Sequence, residues 1–145
     1  MLFNSYLEFL SGNLEKDIEL STKLIIECKE NDFTWGMYRS LSQLANYLTA
    51  NGQFKEAEKL HIESLEYRKK HSNPVEATMG YYYLIRLLTV EFQLTNDDSS
   101  LIKAREFFSE LKLLSAKFPG NITVTNFTKI SEALLGKFGR LKDRA

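Results

Sequence analysis

Apolar residues recur at intervals of three and four along almost the whole chain, and no convincing run alternates apolar with polar residues. The clearest case is residues 51–70, a turn followed by a helical pattern. One face of this helix carries Phe54, Ala57, Leu60, His61, Ser64, Leu65 and Arg68. The other face is charged. Because an interval of three or four residues matches the repeat of an α-helix, the pattern predicts an all-α fold.

Breaks in the pattern divide the chain into successive helices. The predicted helices cover residues 2–11, 14–30, 34–50, 54–70, 74–94, 100–117 and 123–137, with a basic, turn-like end at 139–145. Gly12 and Gly52 offer the left-handed conformation that closes a helix. Pro74 disfavours helix at Asn73 and suits the first turn of the next helix. About seven helices are therefore expected.

The helix before residues 51–70 has a complementary apolar stripe. It consists of Leu41, Leu44, Ala45 and Leu48. Since Gly52 separates the two helices by only a short turn, they should form an antiparallel hairpin. We expect Ala45 and Ala57 to let the two backbones approach closely.

Residues 38–71 resemble a tetratricopeptide repeat. The matching positions are Leu41, Leu44, Ala45 and Leu48 in the first helix and Gly52, Phe54, Ala57, Ser64 and Leu65 in the turn and second helix. The sequence departs from the family pattern at Leu41, where tryptophan is usual, and at Asp17, where the first unit should have a small residue. The spacings of 40 residues from Asp17 to Ala57 and 47 from Ala57 to Ala104 exceed the roughly 34 of the standard unit.

The resemblance implies the architecture. It predicts a right-handed α-solenoid of stacked antiparallel helical hairpins in a single domain over residues 1–145. The units would be roughly 1–31, 33–71 and 74–118, followed by a terminal helix at 122–139. That last helix would leave an apolar face uncovered, so the sequence raises two further hypotheses: a fragment of a longer repeat protein, or self-association through the terminal helix.

The resemblance also implies a function, a protein–protein interaction scaffold, because the first helix of each hairpin in this family lines a concave surface. The side chains expected to face a protein or peptide partner are Arg39, Ser42, Asn46 and Thr49 in one hairpin and Tyr83, Arg86, Val90 and Gln93 in the next. Arginine binds carboxylates, and tyrosine adds contact area at low entropic cost. An ordinary solvated face is the alternative reading of these residues. A second functional hypothesis is the sensor or docking segment of a larger signalling or transcriptional regulator.

The composition of the chain limits the classes of partner that are expected. The 145 residues contain 19 Lys and Arg and 19 Asp and Glu, so the formal net charge is zero and no nucleic-acid or membrane partner is expected. The beginning of the chain lacks the basic start and continuous apolar run of a signal peptide. The single cysteine, Cys28, lies in an apolar helical run, as in a reduced chain. We therefore expect a cytoplasmic protein.

Catalytic motifs are missing from the sequence. There is no glycine-rich phosphate loop, no nucleophile elbow and no His-Glu-x-x-His or Cys-x-x-Cys motif. His61 falls at a packing position, and its separation from His71 places the two on different faces of the helix. We expect no catalytic residues, no metal site, no cofactor and no enzymatic activity.

Overall fold

The structure, a computed structural model, describes residues 13–71 and 73–144, with side chains described as far as residue 138. These residues form six α-helices and no strand. The helices are α1 (Leu14–Glu30), α2 (Thr34–Ala50), α3 (Phe54–His71), α4 (Pro74–Thr95), α5 (Asp98–Ala116) and α6 (Ile122–Arg144). The predicted helix over residues 2–11 lies outside the described residues. The predicted all-α fold of helical hairpins is confirmed.

Polar side chains set the starts of the helices. The Asn13 side chain accepts a hydrogen bond from the Lys16 backbone N–H at 3.2 Å, and the Asn73 side chain accepts one from Glu76 at 3.2 Å. The Asp97 carboxylate caps α5 by accepting from the Ser99 N–H at 3.0 Å. These bonds satisfy backbone donors that a helix leaves open in its first turn. Capping by Asp97 also explains why α5 begins two residues before the predicted start.

The end of the last helix was predicted wrongly. The basic segment after residue 139 is helical rather than turn-like, because α6 continues to Arg144. Gly139 lies inside this helix and not at its end. A glycine in a helix interior costs only about 1 kcal/mol relative to alanine, and no proline follows Pro119 to stop the helix.

The chain divides into two compact units, Met1–His71 and Ser72–Ala145. The division falls between the predicted second and third repeats, at the break before Pro74. We call them unit 1 and unit 2 and describe each by itself. That residues 1–145 form a single repeat domain stays a prediction.

Unit 1 is organised around α2, which packs against both α1 and α3. Ala45 and Ala57 are both 0% exposed, as expected for small residues at a close helix contact. His61 is also buried, which confirms its interpretation as a packing residue. Asp17 of α1 is buried too, so a carboxylate does occupy a position where the repeat pattern has a small residue.

A polar cluster lies within this core, between α2 and α3. The Ser42 and Ser64 hydroxyls are 2.8 Å apart, and Ser64 donates to the Tyr38 carbonyl oxygen at 2.7 Å. Because a hydroxyl has one hydrogen, Ser42 must be the donor to Ser64. The Arg68 guanidinium donates to Ser64 through Nε at 3.1 Å and to Ser42 through Nη2 at 3.2 Å, and it lies 4.8 Å from the centre of the Tyr38 ring. This cluster holds α3 against α2.

Unit 2 is organised around α4. This helix packs against α5 and α6, which also pack against each other. Its interior contains the fully buried side chains Leu84, Ile85, Leu88, Leu101, Leu111 and Val124. The Tyr82 and Phe127 rings join α4 to α6 with their centres 5.2 Å apart. Eleven of the 22 residues of α4 are buried, and a stripe of half-buried and exposed residues stays accessible.

Candidate partner-binding surface

The most accessible stripe of α2 runs through Trp35, Arg39, Gln43, Asn46 and Ala50, which are half-buried or exposed and three or four residues apart. The Arg39 guanidinium lies 4.3 Å from the centre of the Trp35 ring. Trp35 is 45% exposed. A guanidinium stacked on an indole is attracted by the negative face of the ring and loses little further freedom when it binds a partner. We call these five residues the α2 stripe.

Three of the four residues predicted in this hairpin remain accessible. Arg39, Asn46 and Thr49 are half-buried, although the Thr49 hydroxyl already donates to the Ala45 carbonyl oxygen at 2.8 Å. The prediction that Ser42 faces a groove is wrong. Ser42 is 4% exposed because its hydroxyl belongs to the buried cluster with Ser64 and Arg68.

Sequence reasoning missed the aromatic part of this surface. Phe33 and Trp35 are exposed, and their ring centres are 5.8 Å apart. Trp35 precedes Arg39 by one helical turn, so the spacing of four residues was a readable signal. Gln43, also missed, donates to the Tyr47 hydroxyl at 2.7 Å. Burial raises the pKa of Tyr47, while this hydrogen bond opposes the rise.

Unit 2 presents a second surface of similar composition on α4. Tyr83, Arg86 and Val90 are half-buried and Gln93 is exposed, so all four predicted residues are accessible within the unit. The Arg86 guanidinium lies 5.4 Å from the Tyr82 ring centre and 5.3 Å from the Tyr83 ring centre. Each unit therefore holds an arginine against an aromatic ring four residues earlier in the same helix. This arrangement suits a ligand with a carboxylate next to an apolar group.

A groove of about 320 Å³ opens on another side of unit 1. It is lined by Ile18, Thr22, Leu44, Leu48, Glu56, Lys59 and Leu60, from α1, α2 and α3. Its lining is mainly apolar, with one charge of each sign at the rim. The sequence did not indicate this groove, because it exists only where three helices meet.

Cys28 is not placed as a nucleophile. The thiol is 5% exposed, and burial, together with the nearby Glu27 carboxylate, raises the pKa of Cys28 despite an opposing hydrogen bond with Ser40. Only the thiolate reacts readily.

No group of three or more His, Cys, Asp or Glu side chains able to hold a metal ion occurs in the described part of the chain. No described helix is long and apolar enough to cross a membrane.

We predict that Cys28 reacts slowly with Ellman's reagent in the folded protein at pH 7.5 and at the rate of a free thiol after unfolding in guanidinium. Folding raises the pKa of Cys28, so the folded protein binds the thiol proton more tightly than the unfolded chain does. This tighter binding adds to the free energy of unfolding below the ordinary thiol pKa of about 8.5, and the added stability is lost as the pH rises from there through the raised pKa. Absorbance at 412 nm measures the reaction. Rapid labelling of the folded chain would contradict the burial of the thiol.

Residues 39–75 match the family model of the tetratricopeptide repeat. The match covers about a quarter of the chain, including most of α2, the turn at Gly52 and all of α3. A search of curated proteins found no match. The matched residues contain the hairpin in which the sequence pattern resembles the repeat, with its two buried alanines. Residues 39–75 are therefore similar to a tetratricopeptide repeat, and the resemblance predicted from the sequence is confirmed over this hairpin.

Proposed function

We propose that this protein is a non-enzymatic interaction scaffold that binds an extended peptide or a helix of a partner protein on the concave, first-helix side of its repeats. Tetratricopeptide repeats mediate protein–protein interactions, which supports the general function. The observation that carries the specific proposal is the Arg39 guanidinium held 4.3 Å from the exposed Trp35 ring on the α2 stripe. Tryptophan and arginine are the residue types most enriched among those that dominate binding energy.

The proposed ligand follows from the chemistry of the two arginines. A stacked guanidinium presents its edge N–H groups in the plane of the group, where a carboxylate can accept two of them. The neighbouring rings offer flat apolar area. A partner segment with an aspartate or glutamate beside an apolar side chain fits the α2 stripe, and Tyr83, Arg86, Val90 and Gln93 on α4 offer the same chemistry. Asn46 can bond a peptide backbone, while Ser42 takes no direct part because it is buried.

We predict that replacing Arg39 and Asn46 together by alanine weakens binding of the partner about tenfold or more without unfolding the protein. Affinity capture with the tagged chain, followed by mass spectrometry, identifies the partner, and titration calorimetry then measures its affinity. The matched control replaces Glu19 and Lys23, an exposed ion pair on α1, by alanine. Equal affinity of the Arg39/Asn46 variant and the control for the captured partner would remove the proposal.

Three finer proposals accompany this function. A role as the sensor or docking segment of a larger signalling or transcriptional regulator is the alternative, and a DNA-binding or kinase domain encoded in the same gene would favour it. A cytoplasmic location can be checked by imaging a fluorescent fusion. Self-association through the terminal helix can be checked by sedimentation equilibrium over a range of protein concentrations.

A further inference from the structure

The outer face of α6 is open over its described length. Val124, Ser131, Leu135 and Phe138 are buried on the side that packs against α4 and α5. The opposite side carries Ile122, Asn126, Lys129, Ile130, Ala133 and Lys137, all exposed. Ile122 is 75% exposed and Ile130 is 46% exposed. We call these six residues the α6 face; none of them belongs to the α2 stripe or to the α4 residues of the proposed peptide-binding surface.

The charge of the α6 face is positive. Lys129 and Lys137 form no ion pair within the described residues, and Glu132 is the one acidic side chain described on this helix. Lys137 instead lies with its Nζ atom 5.7 Å from the Phe138 ring centre. In sequence, residues 139–144 add three basic residues and one acidic residue. The protein as a whole has no net charge, so this helix is a local concentration of positive charge.

The shape of the face suits another helix. Ile122 and Ile130 are eight residues apart, which is about 12 Å along the helix axis, so apolar residues two turns apart on a partner helix can contact both. Ala133 leaves room for that helix to approach closely. Among the residues of α6 with described side chains, the α6 face has two exposed isoleucines and no exposed Trp, Phe or Leu, which gives little area for insertion into a membrane interface.

We infer that the α6 face binds an acidic amphipathic helix of another protein. The apolar stripe of that helix covers Ile122 and Ile130, and its flanking glutamates or aspartates meet Lys129 and Lys137. Opposite charges at the rim of an interface speed association and select the partner. A symmetric contact between two copies of α6 would bring lysines toward lysines, so charge favours an acidic helix over the self-association proposed above as the occupant of this face. Dimerisation through α6 in sedimentation equilibrium would count against this inference.

The experiment uses the full chain and two fluorescent 18-residue peptides that are held helical by lactam staples. Both peptides carry the same stripe of leucines; in one the stripe is flanked by glutamates, and in the other by lysines. Stapling removes most of the cost of forming a short helix in water. We expect fluorescence anisotropy to show binding of the glutamate peptide only. In the variant Lys129→Glu with Lys137→Glu, binding of the glutamate peptide should weaken about tenfold and the lysine peptide should now bind.

The matched control makes the same charge change on α5 and its cap, Arg105→Glu with Lys117→Glu, and should bind the glutamate peptide as the unmodified protein does. The Arg39/Asn46 alanine variant should also bind normally, so this inference and the proposed function can fail separately. Circular dichroism checks that each variant is folded. The inference is overturned if the glutamate peptide does not bind at millimolar concentration, if the charge-reversed pair has no effect, or if the chain binds phosphatidylserine vesicles in preference to the peptide.

Discussion

Arg68→Ala is expected to lower the free energy of unfolding of unit 1 by about 2 to 5 kcal/mol, the range found when large buried side chains are cut back to alanine. Arg68 is 2% exposed and is among the largest side chains that are buried completely. Its guanidinium bonds Ser42 and Ser64 and packs on the Tyr38 ring, so its removal leaves a cavity between α2 and α3. Ser42 and Ser64 keep their bond to each other, which limits the loss to packing and the arginine's own hydrogen bonds.

Arg68→Met separates these two causes. Methionine fills most of the volume of the arginine stem but makes none of the guanidinium hydrogen bonds, so it keeps the packing and loses the polar contacts. We expect this variant to remain within about 1.5 kcal/mol of the unmodified protein. Guanidinium denaturation followed by tryptophan fluorescence measures both variants in unit 1, because Trp35 is the single tryptophan of the chain. A loss for methionine as large as for alanine would show that the hydrogen bonds, not the volume, hold α3 in place.

Ala57→Leu is expected to destabilise unit 1 by about 1 to 3 kcal/mol through overpacking. Ala57 is completely buried in the face of α3 that packs on α2, and three added carbon atoms have no space unless the helices separate. The effect should appear in the same fluorescence-monitored denaturation as a lower midpoint.

The control for this substitution is Ala116→Leu, at an exposed position in the last turn of α5. It makes the same chemical change where space is available, and we expect a difference within about 0.5 kcal/mol, followed by circular dichroism because α5 is in unit 2. If Ala57→Leu leaves the midpoint unchanged, Ala57 does not lie at a close contact between helices. The backbone approach predicted from the two alanines would then be wrong.

The helices could be predicted because local information defines them. The three-and-four spacing of apolar residues gave their extents, while Gly52 and the Asn73–Pro74 pair gave two breaks that the structure confirms. The segment after residue 139 was predicted wrongly as turn-like, whereas α6 continues through Gly139 to Arg144. A glycine ends a helix only where the backbone turns away from the helix axis, and the sequence alone did not show that the backbone continues as a helix at Gly139.

The candidate surface was predicted only in part. Arg39 and Arg86 could be placed on accessible stripes from helical spacing together with the resemblance to the repeat family. The burial of Ser42 could not be predicted, because its position on the helix allows it to face either solvent or the next helix. Ser42 is buried because its hydroxyl forms a hydrogen bond with Ser64, which lies 22 residues away in the sequence. The stacking of Arg39 on Trp35 depends on side-chain conformation, which periodicity does not specify.

The sequence by itself determined the helical fold class, the hairpin with its two small residues, and the resemblance of residues 38–71 to the repeat family, since each depends on residues close together in the chain. Tertiary structure decided which polar residues of each helix are buried and which remain on the surface. Arg68 and Arg39 show the reason. Helical spacing places Arg68 on the packing face of α3 and Arg39 on the accessible side of α2. Only the packed structure shows that Arg68 bonds Ser42 and Ser64 in the core and that Arg39 stacks on the Trp35 ring, because these contacts depend on what lies against each helix.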